Sequence, residues 1–250
     1  MRYDSTSVPE RYHGSRALTS SDMSCWVSLV REVIPHLAGG LLIDLGCGSG
    51  RFTAPLAEQL GIPVIGVDPS RKMLLEAARN TSSSLVEYRE GSAESIPLEA
   101  RSTTLIFMSN AIHHVKRLDK ALREMYRVLH PHGIVFVRNY ALENLASLQY
   151  LHFFPEAMQI SRDMLWSRRT TVEHFTARGF ATLSQGTVRQ ESSPDFEAYL
   201  GKIESRVYSD LALISDEAFN RGVARMKNAC QSLGGGPVLE EVDYFVFQKC

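Results

Sequence analysis

The sequence has few cysteines, no excess of charge of one sign and no long apolar run. Its four cysteines, Cys25, Cys47, Cys230 and Cys250, form no CxxC pair, which argues against a zinc site or a disulfide framework. The net charge of −1, from 27 basic and 28 acidic residues, argues against nonspecific binding to nucleic acid or an anionic membrane. No run of about 18 apolar residues occurs, so no membrane span is indicated.

Residues 1–16, MRYDSTSVPERYHGSR, contain charges, serine and proline but no apolar signal-peptide centre. Together with the scattered cysteines, this predicts a cytoplasmic protein with reduced thiols. A chain of 250 residues is long enough to bury a sizeable core. We therefore expect one domain over residues 1–250, acting as a monomer or a homodimer.

Short β-type runs alternate with helical stretches through the middle of the chain. The pattern predicts strands at 41–45, 62–68, 85–90, 103–110, 134–140, 180–188 and 240–249, and helices at 22–37, 51–60, 70–80 and 118–129. Such alternation is typical of an α/β fold with a doubly wound, mainly parallel sheet.

The same pattern divides the predicted domain into parts. We expect residues 40–140 to form the ligand-binding core, preceded by a helical segment at 1–38. Helical blocks at 141–179 and 193–233 are predicted to cap this core, and 239–250 contain the last strand. A helical cap can act as a lid that excludes water from a reaction.

The stretch LLIDLGCGSG, residues 41–50, leads from an apolar strand into a turn with glycines at 46, 48 and 50. At the carboxyl end of a parallel strand, such a turn lets backbone N–H groups approach a ligand, and the next helix adds partial positive charge. A tight turn without a ligand is the alternative.

Asp68 ends the next predicted strand, 18 residues after Gly50. A carboxylate at this position can accept hydrogen bonds from both hydroxyls of a ribose. It can also begin a helix as its N-cap, a role for which Ser70 is better placed. The ribose interpretation leaves NAD, FAD and S-adenosylmethionine as candidate ligands.

Two features separate these candidates. The glycine spacing is GxGxG rather than the GxGxxG of the dinucleotide fingerprint, so a pyrophosphate turn is not matched. Asp44 also stands two residues before Gly46, where a carboxylate would repel a pyrophosphate and attract an ammonium group. S-adenosylmethionine carries an ammonium and a sulfonium, so the residues favour the methyl donor.

Four motifs, taken in order, resemble those of class I S-adenosylmethionine-dependent methyltransferases of the small-molecule branch, the ubiquinone/menaquinone-biosynthesis type. They are LLIDLGCGSG, VIGVDPSRKML, GSAESIPLEARSTTLIFMSNAIHHV and LREMYRVLHPHGIVFVRN. The resemblance implies a Rossmann-like sheet of seven strands with the last strand antiparallel. It also implies methyl transfer by in-line displacement to an O, N or S nucleophile of a small molecule, giving S-adenosylhomocysteine.

The resemblance also implies which residues bind the donor. Asp44 and the backbone of Gly46, Cys47 and Gly48 would hold the methionine part, Asp68 the ribose, and Pro69 and Met73 the adenine, whose edge Ser92, Ala93 and Glu94 would border. Asn110 is also expected to bind the donor. Tyr12 and Arg16 of the N-terminal segment would bind the donor's carboxylate. The family often has aspartate where Ser92 stands, and another near the fourth strand, where this chain has Thr104.

The sequence indicates the residues that bind the methyl acceptor less specifically than those that bind the donor. The fourth strand leads into SNAIHHV, so His113 and His114 are candidates for binding the acceptor or removing its proton, and ordinary packing is the alternative. Asn139, Tyr140 and Trp166 are predicted to line the acceptor pocket. Methyl transfer needs no metal, and the sequence contains no clear metal-binding cluster.

Three other functions compete with this interpretation. An RNA or protein methyltransferase of the same fold would usually carry a basic face or an added recognition domain, and neither is evident. A nicotinamide-dependent oxidoreductase conflicts with the glycine spacing and with Asp44. A binding module without activity is disfavoured because the donor motifs are complete. The sequence does not name the acceptor.

Overall fold

The computed structural model describes residues 18–33, 40–230 and 235–250. The predicted carboxylate-binding residues Tyr12 and Arg16 lie outside the described residues, as does the end of the helix predicted at 22–37. The other predicted site residues all lie within them.

Seven strands form one sheet in the order β3-β2-β1-β4-β5-β7-β6. Their bounds are β1 Leu42–Leu45, β2 Val64–Asp68, β3 Val86–Glu90, β4 Thr103–Ser109, β5 Leu129–Asn139, β6 Phe180–Ser193 and β7 Val238–Lys249. The first five pair in parallel, and β7 runs antiparallel to both β5 and β6. The predicted seven-stranded α/β sheet with an antiparallel last strand is confirmed.

The central strands form where the sequence is continuously apolar. Every residue of β1 and β2 is buried, as expected for parallel strands covered by helices on both faces. The edge strand β6 instead alternates exposed and partly buried residues over much of its length. The prediction of 180–188 missed the end of this strand, residues 189–193, where the sequence RQESS is wholly polar.

The described helices cover the sheet and its carboxyl edge. They are α1 Ser20–Val33, α2 Thr53–Leu60, α3 Arg71–Arg79, α4 Leu118–Val128, α5 Pro155–Met164, α6 Arg168–Thr176, α7 Phe196–Glu204, α8 Ser209–Leu213 and α9 Asp216–Cys230. Short 3-10 turns lie at Ile112–His114, Leu142–Ser147 and Gln149–His152. Helix α4 confirms the helix predicted at 118–129, and its apolar residues Ala121, Leu122 and Met125 are buried.

Strand β5 begins earlier than the predicted residue 134. The pairing of β4 with β5 shifts between Thr103↔Leu129 and Leu105↔Ile134, so the intervening residues bulge out of the ladder. His132, within this bulge, has a positive φ of 62°. The proline and glycine of HPHG thus mark an irregularity inside the strand rather than a loop before it.

The segments after β5 pack onto the sheet. Tyr150, Phe154 and Tyr199 are buried in one apolar cluster together with Phe107 and Phe136 of the sheet. The segments from Leu142 to Cys230 that precede and follow β6 are here called the cap. No helix within the described ranges is both long and apolar enough to cross a membrane.

Candidate active site

The strand order places a candidate site at the carboxyl ends of β1, β2 and β4. The chain passes from β1 outward to β3 and then returns to β4 on the other side of β1. A crevice opens at such a reversal, because the loops on either side lead away from each other. A cavity of about 750 Å³ lies there, within the range of roughly 300–1,000 Å³ usual for cofactor sites. We call it the donor cavity.

The structure brings together all the donor-binding residues predicted within the described ranges. Asp44, Gly46, Cys47, Gly48, Asp68, Pro69, Met73, Ser92, Ala93, Glu94 and Asn110 line this one cavity. The cavity is also lined by residues that the sequence motifs did not indicate: Arg51, Phe52, Ser70, Met108, Ser109, Ala111, Val115 and Lys116. Each of these lies within about four residues of a predicted site residue. Including the sequence neighbours of each predicted residue would therefore have found them.

The glycine turn after β1 needs glycine for two physical reasons. Gly46, Gly48 and Gly50 have positive φ values of 76°, 54° and 78°, which side chains on L-residues disfavour. A Cβ on Gly46 would also lie 2.6 Å from Cβ of Ala111. The turn therefore passes tightly beside the loop after β4.

The N–H groups of this turn are bonded to the protein. Gly46 and Cys47 both donate to the carbonyl of Val67, at 2.7 and 3.1 Å. Gly50 donates to the Cys47 carbonyl at 3.0 Å, and Gly48 donates to Oδ2 of Asp68 at 2.9 Å. These four N–H groups are satisfied by protein acceptors, and contact between the backbone of this turn and a ligand stays a prediction. They do not form an anion-binding nest for a pyrophosphate.

Asp44 forms part of the cavity wall with its carboxyl group almost fully buried. Burial raises the pKa of this group to about 7, against the lowering effects of a hydrogen bond from Thr53 and the nearby charge of Arg51. The Thr53 hydroxyl donates to Oδ2 at 2.6 Å. A positive group of a ligand would offset the cost of the buried charge.

Asp68 joins the glycine turn to the start of α3. Its Oδ2 accepts from Gly48 N–H, and its Oδ1 accepts from Ser70 N–H at 2.8 Å. Ser70 itself caps α3, because its hydroxyl accepts from Met73 N–H at 3.2 Å. The sequence-based preference for Ser70 as the cap is confirmed. A carboxylate oxygen can accept more than one hydrogen bond, so these contacts are compatible with the predicted bonds from ribose hydroxyls.

Glu94 and Ser92 lie at the far side of the donor cavity. Glu94 Oε1 accepts the backbone N–H of Lys116 at 3.1 Å and of Arg117 at 3.3 Å. Ser92 and Ser95 exchange backbone hydrogen bonds in an isolated bridge. The Glu94 contacts hold the loop after β3 against the loop after β4, and the serine bridge closes the loop after β3 on itself.

A second cavity adjoins the first beneath the cap. Its volume is about 50 Å³, and we call it the acceptor cavity. Asn110 and His114 line both cavities and therefore stand at their junction. The rest of its lining is supplied by His113, Tyr140, Leu148, Tyr150, Ser161, Met164, Leu165, Val207, Tyr208, Ser209 and Asp210.

His113 is oriented by Asn139. Oδ1 of Asn139 lies 2.9 Å from Nδ1 of His113, and Nδ2 of the same amide donates to the Tyr140 carbonyl at 2.9 Å. The carbonyl can only accept, so Nδ2 is the amide's donor end and Oδ1 its acceptor end. Nδ1 of His113 must then carry the proton, so Nε2 is the unprotonated nitrogen when the ring is neutral.

Asn110 has an unusual conformation at the junction. Its φ is +50°, and its N–H donates to the Arg138 carbonyl at 2.8 Å. Its side-chain Oδ1 is buried and has no hydrogen-bond partner among the described residues. A buried acceptor in this state is satisfied when a ligand brings a donor.

Of the three residues predicted to line the acceptor pocket, one lines the acceptor cavity and two do not. Tyr140 lines the acceptor cavity, and its hydroxyl donates to the buried Glu240 at 2.6 Å. Asn139 contacts His113, as described, and is not among the lining residues. Trp166 packs beside His174, with 4.9 Å between ring centroids, and does not line either of the two cavities among the described residues.

Within residues 18–33, 40–230 and 235–250, no group of three or more His, Cys, Asp or Glu is arranged to hold a metal ion. Residues 43–137 match the family model described as "Methyltransferase domain". This match covers β1 to β5, the part of the chain that builds the donor cavity.

Comparison with curated proteins gives relatives over part of the chain. Mitochondrial ubiquinone biosynthesis O-methyltransferase of Bos taurus is 32% identical over 121 residues, which are 44% of this chain and 32% of the relative. Demethylmenaquinone methyltransferase of Lactobacillus johnsonii is 35% identical over 104 residues, 39% of this chain and 43% of the relative. The matches span less than half the length of these relatives.

Among solved structures, the chain resembles phosphoethanolamine N-methyltransferase 2 of Haemonchus contortus, solved in complex with S-adenosyl-L-methionine. The TM-score is 0.55 at 22% identity, covering 89% of this chain and 51% of the other. At this identity the likeness concerns the fold, which therefore extends through the cap.

Proposed function

We propose that this chain, which carries a class I methyltransferase domain, transfers a methyl group from S-adenosylmethionine to a small-molecule acceptor and releases S-adenosylhomocysteine. The identity of both substrates is part of the proposal, because the curated relatives are matched over less than half of their length. The roles of the individual site residues are proposed with it.

One observation carries the choice of donor. The donor cavity is lined by two buried carboxylates, Asp44 and Asp68, while four N–H groups of the glycine turn are bonded to protein acceptors. A ligand with an ammonium group and ribose hydroxyls suits two carboxylates, whereas a pyrophosphate would be repelled by them. S-adenosylmethionine has both features and no phosphate.

The other lining residues also suit this donor. Asp44 would hold the ammonium group and Asp68 the ribose hydroxyls, while the buried Met73 and Phe52 offer apolar surface to the remainder. When bound, S-adenosylmethionine supplies a methyl group on a sulfonium, which an aligned nucleophile displaces. The protein's main task is then to position the acceptor and to exclude water.

On the acceptor side, His113 is proposed to take a proton from the acceptor at Nε2. Asn139 acts as a positioning residue, because its amide oxygen fixes the proton on Nδ1. His114 and Asn110 line both cavities and would separate the donor from solvent at the junction. A base of this kind is needed only for acceptors that must lose a proton before attack.

The small volume of the acceptor cavity, about 50 Å³, supports a small-molecule acceptor. The cytoplasmic location and the monomeric or homodimeric state stay predictions.

The test combines ligand binding with turnover. Thermal shift with S-adenosylhomocysteine and with NADH should show stabilisation by the first alone. Labelled S-adenosylmethionine, incubated with protein and either small-metabolite or RNA fractions, should give labelled product only with metabolites. Stabilisation by NADH, or label in RNA alone, would contradict the proposal.

A further inference from the structure

Asp44, Gly66 and Tyr88 lie side by side on three neighbouring strands. Asp44 of β1 pairs with Gly66 of β2, and Gly66 pairs with Tyr88 of β3. Residues paired in this way direct their side chains to the same face of the sheet, here across two strand spacings of about 4.8 Å each. The pairing therefore places a phenol and a buried carboxylate on one face, with a glycine between them.

The absence of a side chain at Gly66 leaves room for the Tyr88 ring. A Cβ on Gly66 would lie 2.6 Å from Cδ1 of Tyr88, and a Cβ on Gly50 would collide with the Tyr88 hydroxyl. The ring thus lies over β2 and ends against the glycine turn. Its hydroxyl reaches the point where this turn leads into α2, whose first residue is Thr53.

Two threonine hydroxyls meet the phenol of Tyr88. Oη of Tyr88 lies 2.8 Å from Oγ1 of Thr81, just after α3. Burial raises the pKa of Tyr88, and hydrogen bonds with Thr81 and Thr53 act against this rise. Thr53 in turn donates to Oδ2 of Asp44 at 2.6 Å. We call the hydroxyls of Thr81, Tyr88 and Thr53 the hydroxyl chain.

The direction of the hydroxyl chain follows from its last acceptor. An ionised carboxylate only accepts, so the Thr53 proton lies toward Asp44 and the threonine oxygen accepts from Tyr88. The Tyr88 oxygen then accepts from Thr81. Aligned hydroxyls polarise one another, which strengthens the bond to the carboxylate by roughly 10–30% per added bond.

We propose that Tyr88 is a positioning residue of the donor site, whose hydroxyl holds Thr53 with its proton directed at Asp44. Tyr88 is not among the described residues that line the donor cavity, so it acts through Thr53. The inference rests on the proposed function, in which ionised Asp44 binds the ammonium group of the donor.

The titratable groups that face Asp44 among the described residues are Arg51, Cys47, Asp68 and Tyr88. Burial raises the pKa of Asp44 most, while the charge of Arg51 lowers it and that of Asp68 raises it. Burial also raises the pKa of the Cys47 thiol and of the Tyr88 phenol. Both groups are therefore neutral near pH 7, where Asp44 titrates.

Tyr88→Phe keeps the ring and removes only the hydroxyl. In the ligand-free protein, the carbon-13 shift of the Asp44 carboxyl should report a pKa that is higher by about 0.2–0.6 than in the wild-type protein. Calorimetry should show binding of S-adenosylhomocysteine weakened by roughly 1.5- to 4-fold at pH 6 and unchanged at pH 9, where Asp44 is ionised in both proteins. An unchanged Asp44 pKa in folded Tyr88→Phe protein would overturn the inference.

Tyr126→Phe is the matched control. It also removes a single phenol hydroxyl, one that donates to the Cys250 carbonyl at 2.7 Å, and Tyr126 lines neither cavity. This variant should leave both the pKa of Asp44 and the affinity for S-adenosylhomocysteine as they are in the wild-type protein.

Thr53→Val separates an effect that passes through Thr53 from a general change in packing. Loss of the direct hydrogen bond should raise the pKa of Asp44 by about 1–2. Tyr88→Phe should add no further rise in the Thr53→Val protein, and should keep its full effect in Thr53→Ser, which retains a hydroxyl. Equal rises from Tyr88→Phe in the Thr53→Val and wild-type proteins would overturn the inference.

The carboxyl titration needs no donor, so the inference and the function on which it rests can fail separately. Binding of S-adenosylhomocysteine by the wild-type protein, with neither pKa nor affinity changed in Tyr88→Phe, would overturn the inference alone. Failure of S-adenosylhomocysteine to bind the folded wild-type protein at pH 9 would overturn the proposed function, whatever the pKa of Asp44.

Discussion

Thr53 donates a 2.6 Å hydrogen bond to the buried carboxyl group of Asp44, and this is the one side-chain hydrogen bond to Asp44 given by the described residues. Burial nevertheless keeps the pKa of Asp44 near 7. The donor cavity thus contains an acid whose ionisation the fold disfavours and a cationic ligand would favour. Binding of the donor and titration of Asp44 are therefore coupled.

Asp44→Asn should stabilise the ligand-free protein at pH 8 while abolishing measurable binding of S-adenosylhomocysteine. The wild-type protein bears the cost of an ionised buried group, up to about 4 kcal/mol for a rise of roughly three pKa units. The amide removes that cost and can still accept from Thr53. Denaturant unfolding and calorimetry measure the two effects. A variant that is less stable than wild type at pH 8 and still binds would contradict the role of Asp44.

The contribution of Asp44 to the free energy of unfolding of the ligand-free protein should fall as pH rises from about 4 to about 7. In this window the folded state keeps a proton that the unfolded state, with a pKa of about 3.9, has already lost. Below about pH 7, binding of S-adenosylhomocysteine should weaken by up to about tenfold per pH unit, because binding expels the proton. Calorimetry of the wild-type protein in buffers of different ionisation enthalpy should show proton release below about pH 7, and the release should fade above about pH 8, where Asp44 is already ionised.

Asp68→Ala should weaken binding of S-adenosylhomocysteine by about 1–3 kcal/mol, since hydrogen bonds to a charged group are lost. Ser167→Ala serves as the control, because it removes a helix cap, that of α6, from a residue that lines neither cavity. It should lower stability by about 1 kcal/mol and leave affinity unchanged. Unchanged affinity in folded Asp68→Ala protein would overturn the ribose assignment.

His113→Ala should lower kcat by about 10²-fold or more and keep affinity for S-adenosylhomocysteine, as expected for loss of a general base. Asn139→Leu should lower kcat with little change in KM. Asn139→Asp should keep kcat close to the wild-type value, because a carboxylate also accepts from Nδ1–H. Nitrogen-15 shifts of the His113 ring should show the proton on Nδ1 in the wild-type protein. A proton on Nε2, or full activity of His113→Ala, would contradict this assignment.

Much of the donor cavity could be predicted because its parts are local in sequence. The glycines, Asp44 and Asp68 lie at the ends of strands that the apolar pattern already reveals, and parallel strands bring those ends to one edge. The hydrogen-bond partners of the turn's N–H groups could not be predicted. Two of these groups donate to the carbonyl of Val67, which belongs to the neighbouring strand β2.

Less of the acceptor cavity than of the donor cavity could be predicted from the sequence. Asn139 reaches His113 across two paired strands, and no spacing in the sequence indicates that contact. Tyr150, Ser161 and Asp210 come from three separate segments of the cap, whose helical pattern alone does not fix their packing. Trp166, predicted from its aromatic character, packs beside His174 instead.

The most direct test of the central claim is calorimetric titration of the wild-type protein with S-adenosylhomocysteine at pH 8, repeated with Asp44→Asn and Asp68→Ala. The account predicts saturable binding to a single site in the wild-type protein, no measurable binding in Asp44→Asn, and weakened binding in Asp68→Ala. Absence of binding to the folded wild-type protein, or equal affinity in all three proteins, would contradict it.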